Sequence, residues 1–220
     1  MTILIGQYDS PFVRRVAVAL NHHQMGFERR VLSVFNDFDE MLRINPLGKV
    51  PVLELDGGER LFDSRVILDH LDELAAPQLR LVPAAGSDRR EVLRIDAVAL
   101  GLAEKVAERA IEFVRRAPGK TDVGWGDRLK RQILSAMSWL EAQAPSPFFR
   151  GNRLSMADIT GAVAFTYLKE KQGGLVERGA HPFLEAHCER CEALAAFSAS
   201  PYSAREASDS GWFSATEGYR

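Results

Sequence analysis

Residues 45–64 read NPLGKVPVLELDGGERLFDS. Pro46-Leu47-Gly48 closes a short helix over residues 37–45, because proline cannot continue a helix and glycine tolerates the left-handed backbone at a helix end. Residues 50–55 and 59–62 are apolar-rich strand runs. Asp56-Gly57-Gly58 between them is a hairpin turn. Ser64 then caps a helix that runs to about residue 74. The stretch is therefore a ββα unit.

Toward the N-terminus, residues 2–7 are rich in Ile and Leu and form a short buried strand. Ser10-Pro11 opens a helix over residues 11–23, with serine at the cap and proline at the first helical position. Val13, Val16, Ala17 and Leu20 come after it at helical spacing. Residues 27–33 form a second strand. The order is βαβ, then ββα. Toward the C-terminus the texture changes. Residues 77–87 carry two prolines and a glycine and read as a linker. Beyond it only helical signals remain. Residues 88–116 place Val92, Ile95, Val98, Ala99, Leu102 and Val106 on one stripe. Residues 125–144 carry Leu129, Ile133, Met137 and Leu140, and further helices start near residues 156 and 182. The expected organisation is an α/β module at 1–76, a linker at 77–87 and an all-α domain at 88–220. From about residue 203 that domain ends in a Ser-rich tail carrying Trp212 and Phe213.

The 220 residues are 46% hydrophobic and 26% charged, with a net charge of -2. No basic block is present, so the electrostatic footprint of a nucleic-acid binder is missing. No apolar run reaches the length of a membrane span. The opening MTILIGQYDSPF lacks the cationic start and long apolar stretch of a secretory signal, so a cytoplasmic protein is expected. The two cysteines, Cys188 and Cys191, form a CxxC pair. They lie in a late helix rather than at a strand-to-helix turn, and read as ordinary helix cysteines. His22 and His23 are adjacent on a helix and do not face one point, so no metal is expected. Arg14-Arg15 and Arg89-Arg90 read as solvated helix faces.

Three short motifs carry chemistry. Ser10-Pro11-Phe12 sits where the first strand meets the first helix. Unpaired N–H groups and the helix dipole favour an anion there, and a Ser hydroxyl donates one more hydrogen bond. A free thiol ionises near pH ~8.5, and lowering that by about two units needs about 2.7 kcal/mol. A hydrogen bond to a charged group contributes about 1.5–3 kcal/mol and a helix end about 0.3–2 kcal/mol, so together they suffice. Lys49-Val50-Pro51 enters a strand through a proline, which cannot donate a ladder bond. A cis Val50–Pro51 bond would turn the Val50 amide and carbonyl outward, ready to pair with a peptide backbone in β-fashion. Lys49 is most simply a solvated lysine; its other reading is a partner for a ligand carboxylate. In Asp63-Ser64, the serine offers a hydroxyl and helix N–H groups to an anion, and the acid receives an ammonium. Each motif alone reads first as an ordinary turn or helix cap. Together they suit a γ-glutamyl head, a cysteinyl middle and a terminal carboxylate.

Ser10-Pro11-Phe12-Val13-Arg14, NPLGKVPVL at 45–53, Asp63-Ser64 and the helical half after them together resemble a bacterial glutathione S-transferase. The resemblance implies a thioredoxin-like N-terminal domain, an all-helical C-terminal domain and a cis proline at Pro51. Glutaredoxins and omega-like transferases place a catalytic cysteine before Pro-Phe. Ser10 stands there in this chain, which removes mixed-disulfide chemistry at that position. The resemblance implies instead that Ser10 steadies a glutathione thiolate, with Tyr8 as the competing hydroxyl. Glutathione would lie against Phe12, Lys49, Val50, Pro51, Asp63 and Ser64. Arg109, Phe113 and Trp212 are the candidates for contact with a hydrophobic substrate. Ser155 and Asp158 form a capping box with Leu154 and Ile159 as its staple, a folding element rather than a catalytic one. The resemblance further implies conjugation of glutathione to an electrophile or reduction of a peroxide, a detoxifying role and a homodimer. A binding or scaffold protein on the same fold is the alternative.

Overall fold

The computed structural model describes residues 1–209. Its elements are β1 (Ile3–Ile5), α1 (Pro11–His22), β2 (Glu28–Arg30), α2 (Phe38–Ile44), β3 (Val52–Glu54), β4 (Arg60–Phe62) and α3 (Ser64–Leu74). Then come α4 (Gly86–Val114), α5 (Val123–Glu141), α6 (Met156–Gln172), α7 (Pro182–Glu192), α8 (Ala195–Ser198) and α9 (Ala204–Asp209). The four strands form one mixed sheet in the order β2-β1-β3-β4. β1 runs parallel to β2 and antiparallel to β3, which pairs antiparallel with β4. This is the expected α/β module with a helical half after it.

The sheet has a core on each face because successive strand residues point to opposite sides. Ile5 and Val52 join Leu32, Met41 and Ile44 in one cluster under α2, with Val50 and Phe62 packed against it. Leu4 and Leu53 point the other way and are fully buried, as are Val16, Leu20 and Ile67 of α1 and α3. Each such aliphatic side chain contributes about 1.5–3 kcal/mol by leaving water.

The chain divides into two compact units: Met1–Leu81 with the segment from Ala193, and Val82–Glu192. The sequence places everything beyond residue 88 in the helical half; the contacts put α8 and α9 with the first unit. Two arginines expected in water are buried, and that return covers the first of them. Arg14 and Arg15 are not solvated: each is 1% exposed. The Arg14 Nε donates to Ser200 O at 2.8 Å, and its guanidinium faces the Phe197 ring. A partner almost two hundred residues away leaves no mark on local periodicity.

In the second unit the stripes fall where the periodicity puts them, except that Val98, expected on the α4 stripe, lies off it and is only half-buried. Val92, Ile95, Ala99, Leu102 and Val106 of α4 are buried, as are Leu129, Ile133, Met137 and Leu140 of α5. α6 packs on both α4 and α7 and is buried nearly all round. No described helix is long and apolar enough to cross a membrane.

Candidate functional site

The opening of α1 is loosely capped. Ser10 has extended backbone (φ -75°, ψ 122°), and its Oγ accepts from Val13 N at 3.4 Å, beyond the usual 2.7–3.2 Å. Pro11 fills the first helical position, and Ser10 is only half-buried. Neither α1 nor α3 has an acidic residue in its first turn, whereas α2, α4 and α6 do. The positive end of α1 is therefore left without a first-turn carboxylate. Phe12, beside Ser10, is half-buried.

Tyr8 is turned inward. It is 5% exposed, and its hydroxyl accepts from Ser200 Oγ at 3.2 Å. The Arg29 guanidinium lies 3.3 Å over its ring. Ser200 in turn accepts from Asn21 Nδ2 at 2.9 Å. The hydroxyl of Tyr8 thus belongs to a buried network, while that of Ser10 stands at a helix end.

The second motif lies against the first. Gly6 has φ +135°, and a Cβ there would sit 2.5 Å from a Val13 methyl and 3.0 Å from Val50 Cβ. Only glycine allows the end of β1, the first turn of α1 and Val50 to approach so closely. The Val50–Pro51 bond is cis. Among the described residues no hydrogen bond uses the Val50 amide or carbonyl. Asn45, 2% exposed, shapes the approach: its Nδ2 donates to Lys49 O at 2.8 Å and its Oδ1 accepts from Leu47 N at 3.0 Å. Lys49 itself is exposed.

The third motif differs in detail from its expectation. Asp63, not Ser64, is the cap of α3: its Oδ1 accepts from Arg65 N at 2.8 Å, and Ser64 is the first helical residue. Asp63 holds φ +67°, a left-handed value uncommon outside glycine. Ser64 is buried, and its Oγ accepts from Arg15 Nη1 at 3.2 Å. That bond ties the first turn of α3 to the start of α1 and leaves the serine proton available to an acceptor. A buried cation behind a hydroxyl favours an anion in front of it.

Gly6 and Arg15 thus bring the three motifs to one corner of the first unit. Sequence reasoning missed both, together with Asn45. The signals were present but weak: a glycine ending an apolar strand, an arginine inside an apolar helical stripe, and an asparagine before proline.

Arg109 and Phe113 lie in the second unit. The Arg109 guanidinium stacks 4.6 Å from the Phe113 ring, while its Nη1 donates to Gln172 Oε1 at 2.8 Å. Phe113 sits over Gly126, where a Cβ would come within 2.4 Å of the ring. Both residues are engaged in holding α4 to α5 and α6. Trp212 lies outside the described residues. Cys188 and Cys191 are buried and form no disulfide, and burial pushes the Cys191 thiol far above its ordinary range. Such a thiol is inert. Asp158 is fully buried and accepts from Ser155 Oγ at 2.6 Å, Phe149 N at 2.7 Å and Ser155 N at 2.8 Å, which is the expected capping box. Among the described residues no group of three or more His, Cys, Asp or Glu could hold a metal ion.

Comparison with known proteins agrees with this architecture. The family model "Glutathione S-transferase, N-terminal domain" matches residues 4–79, and "Glutathione S-transferase, C-terminal domain" matches 124–195. The GST-like protein YibF of Escherichia coli K12 is 30% identical over 168 residues, covering 75% of this chain and 81% of YibF. A probable maleylacetoacetate isomerase of Vibrio cholerae is 29% identical over 207 residues, covering 89% and 93%. A glutathione transferase family member from Pseudomonas fluorescens Pf-5, solved with bound glutathione, superposes with a TM-score of 0.83 at 31% identity, covering 92% of this chain and 100% of that one. The sheet order, the helical half and these matches together establish that the chain belongs to the glutathione S-transferase family.

Proposed function

We propose that this protein is a glutathione transferase whose thiolate is held by Ser10 at the start of α1. The observation that carries the reading is the half-buried, weakly capped serine at a helix end with no acid in its first turn. The cis Val50–Pro51 corner and the Arg15-backed Ser64 are tied to the same helix. Solved relatives that hold glutathione support it. In this reading the Val50 amide and carbonyl pair with the cysteinyl backbone. Ser64 and Asp63 take the carboxylate and ammonium of the γ-glutamyl group, and Lys49 meets the glycyl carboxylate. The Ser10 hydroxyl donates to the sulfur, which loses its proton and bonds to an electrophilic carbon as the leaving group departs. With a hydroperoxide the same thiolate attacks the terminal oxygen, the O–O bond breaks as the alcohol leaves, and a second glutathione converts the resulting sulfenic acid to the disulfide and water. The protein supplies the anion and its position. A homodimer in the cytoplasm with a detoxifying role completes the proposal.

The test is titration of the bound thiol in wild type and Ser10→Ala. Loss of one charge-assisted hydrogen bond raises the midpoint by about 1–2 units and lowers kcat/KM about 10- to 100-fold. Tyr8→Phe leaves the midpoint in place. An unchanged midpoint in Ser10→Ala removes the assignment. No retention on immobilised glutathione at millimolar ligand returns the chain to the scaffold alternative. A panel of electrophiles and hydroperoxides separates conjugation from peroxide reduction.

A further inference from the structure

We propose that Glu206, on the returning segment of the chain, is the positioning residue that sets Ser10 at the mouth of α1. This rests on the reading of Ser10 as the donor to the glutathione sulfur. In the loop between β1 and α1, Ser10 N donates to Gln7 O at 3.2 Å, and Ser10 O accepts from Arg14 N. Residues 7 and 8 are held from far along the chain. Glu206 Oε2 accepts from Tyr8 N at 2.5 Å, and Glu206 O accepts from Gln7 Nε2 at 2.9 Å. The Arg29 Nη2 donates to both carboxylate oxygens, at 2.9 and 3.1 Å, while the same guanidinium covers the Tyr8 ring. Ser200 takes the Tyr8 hydroxyl from the other end of the segment. Asn36 Nδ2 donates to Asp209 O at 2.8 Å and holds the end of α9.

The constraint runs from Glu206 to Ser10. The Gln7 carbonyl accepts from the Ser10 amide, so a shift of residues 7 and 8 moves the cap residue directly. A carboxylate is the right group here because it accepts from an amide and from Arg29 at once, which a neutral side chain of that length does only in part. Its negative charge close to an anion site would by itself be unfavourable. The two-pronged contact with Arg29 offsets it. The side chains of Glu206 and Arg29 are 17% and 30% exposed, so the pair is partly shielded from water. Glu206 touches no reacting atom; it acts through the loop.

The experiment is a double-mutant cycle on the full chain, read by the titration midpoint of enzyme-bound glutathione and by kcat/KM at saturating electrophile. Glu206→Ala is expected to raise the midpoint by about one unit and to lower kcat/KM about tenfold. Glu206→Gln keeps the acceptor for Tyr8 N and stays within about threefold. In a Ser10→Ala background, Glu206→Ala adds less than about twofold, because both act on one hydrogen bond. Where Glu206→Ala does not fold, Arg29→Met reads the same tether with a shift of about threefold, and no shift there overturns the proposal. Full multiplication of the Ser10 and Glu206 effects overturns it, as does an unmoved midpoint in Glu206→Ala beside a shifted one in Ser10→Ala. A lowered midpoint shared by the Ala and Gln variants would show the carboxylate acting as bare charge, and overturns it too. An unshifted Ser10→Ala removes the parent reading and this one with it.

Discussion

Serine caps both α1 and α6, and the two starts behave differently. At α6, Ser155 and Asp158 close a capping box in which Asp158 accepts three hydrogen bonds at 2.6–2.8 Å with no exposure to water. His187 stands behind it, with Nε2 at 3.7 Å from the carboxylate. At α1, Ser10 makes one long bond to Val13 N and remains half-buried. The same residue type at the same kind of position is saturated in one unit and open in the other. A saturated cap stabilises the fold and has nothing left to offer a ligand. An open cap contributes little stability and keeps its donor and its N–H groups for an anion.

The contrast breaks most visibly at Asp158. Replacing it with alanine strands two buried amides and is expected to remove about 3–5 kcal/mol of stability, read by denaturant unfolding. If the loss is below that of an ordinary cap, the network is not what holds α6. Next come the serines themselves. Ser155→Ala should cost about 1–2 kcal/mol, and Ser10→Ala a few tenths to about 1 kcal/mol, because its bond is already long. Equal losses would erase the distinction between the two starts.

Acid sharpens the comparison with a smaller effect. Burial holds both His23 in the first unit and His187 in the second below the ordinary histidine value of 6.5. The unfolded chain takes up protons near that pH that the folded chain refuses. Stability is therefore complete above 6.5 and falls as the pH drops below it, by at most about 1.4 kcal/mol per unit for each histidine. Burial raises Asp158, which acts in the opposite sense and softens the slope where His187 sits. His23→Leu should flatten the acid limb of a stability–pH curve; an unchanged limb would mean that His23 is not excluded from protonation. The smallest effect belongs to Lys49. As an exposed cation it should change the KM for glutathione only about two- to fivefold on replacement by alanine, consistent with the modest strength of solvated ion pairs.

Much of the first unit is legible in the sequence because its signals are local. Val13, Val16, Ala17 and Leu20 mark α1 by spacing, and Asp56-Gly57-Gly58 marks the hairpin by turn chemistry. The Ser155–Asp158 box is legible for the same reason: cap and partner lie three residues apart. Ser64 reads as a cap from residue type alone, yet Asp63 takes that place because its left-handed backbone sets its carboxylate on Arg65 N. Arg14 and Arg15 read as solvated because adjacent cations on a helix normally are; in the fold the returning segment takes Arg14 and Ser64 of α3 takes Arg15.

What residue order determined without help was therefore the short-range part: the βαβ–ββα succession, the helical half, the capped helix starts and the family they spell. Those arise from backbone preferences and periodicities that act within a few residues. Tertiary structure alone decided which hydroxyl stays open, that Arg15 backs Ser64, and that residues near 200 return to grip Tyr8 and Gln7. Those contacts join segments up to two hundred residues apart. They form only because burying the surfaces between them outweighs the entropy of bringing the segments together, a balance that no local pattern records.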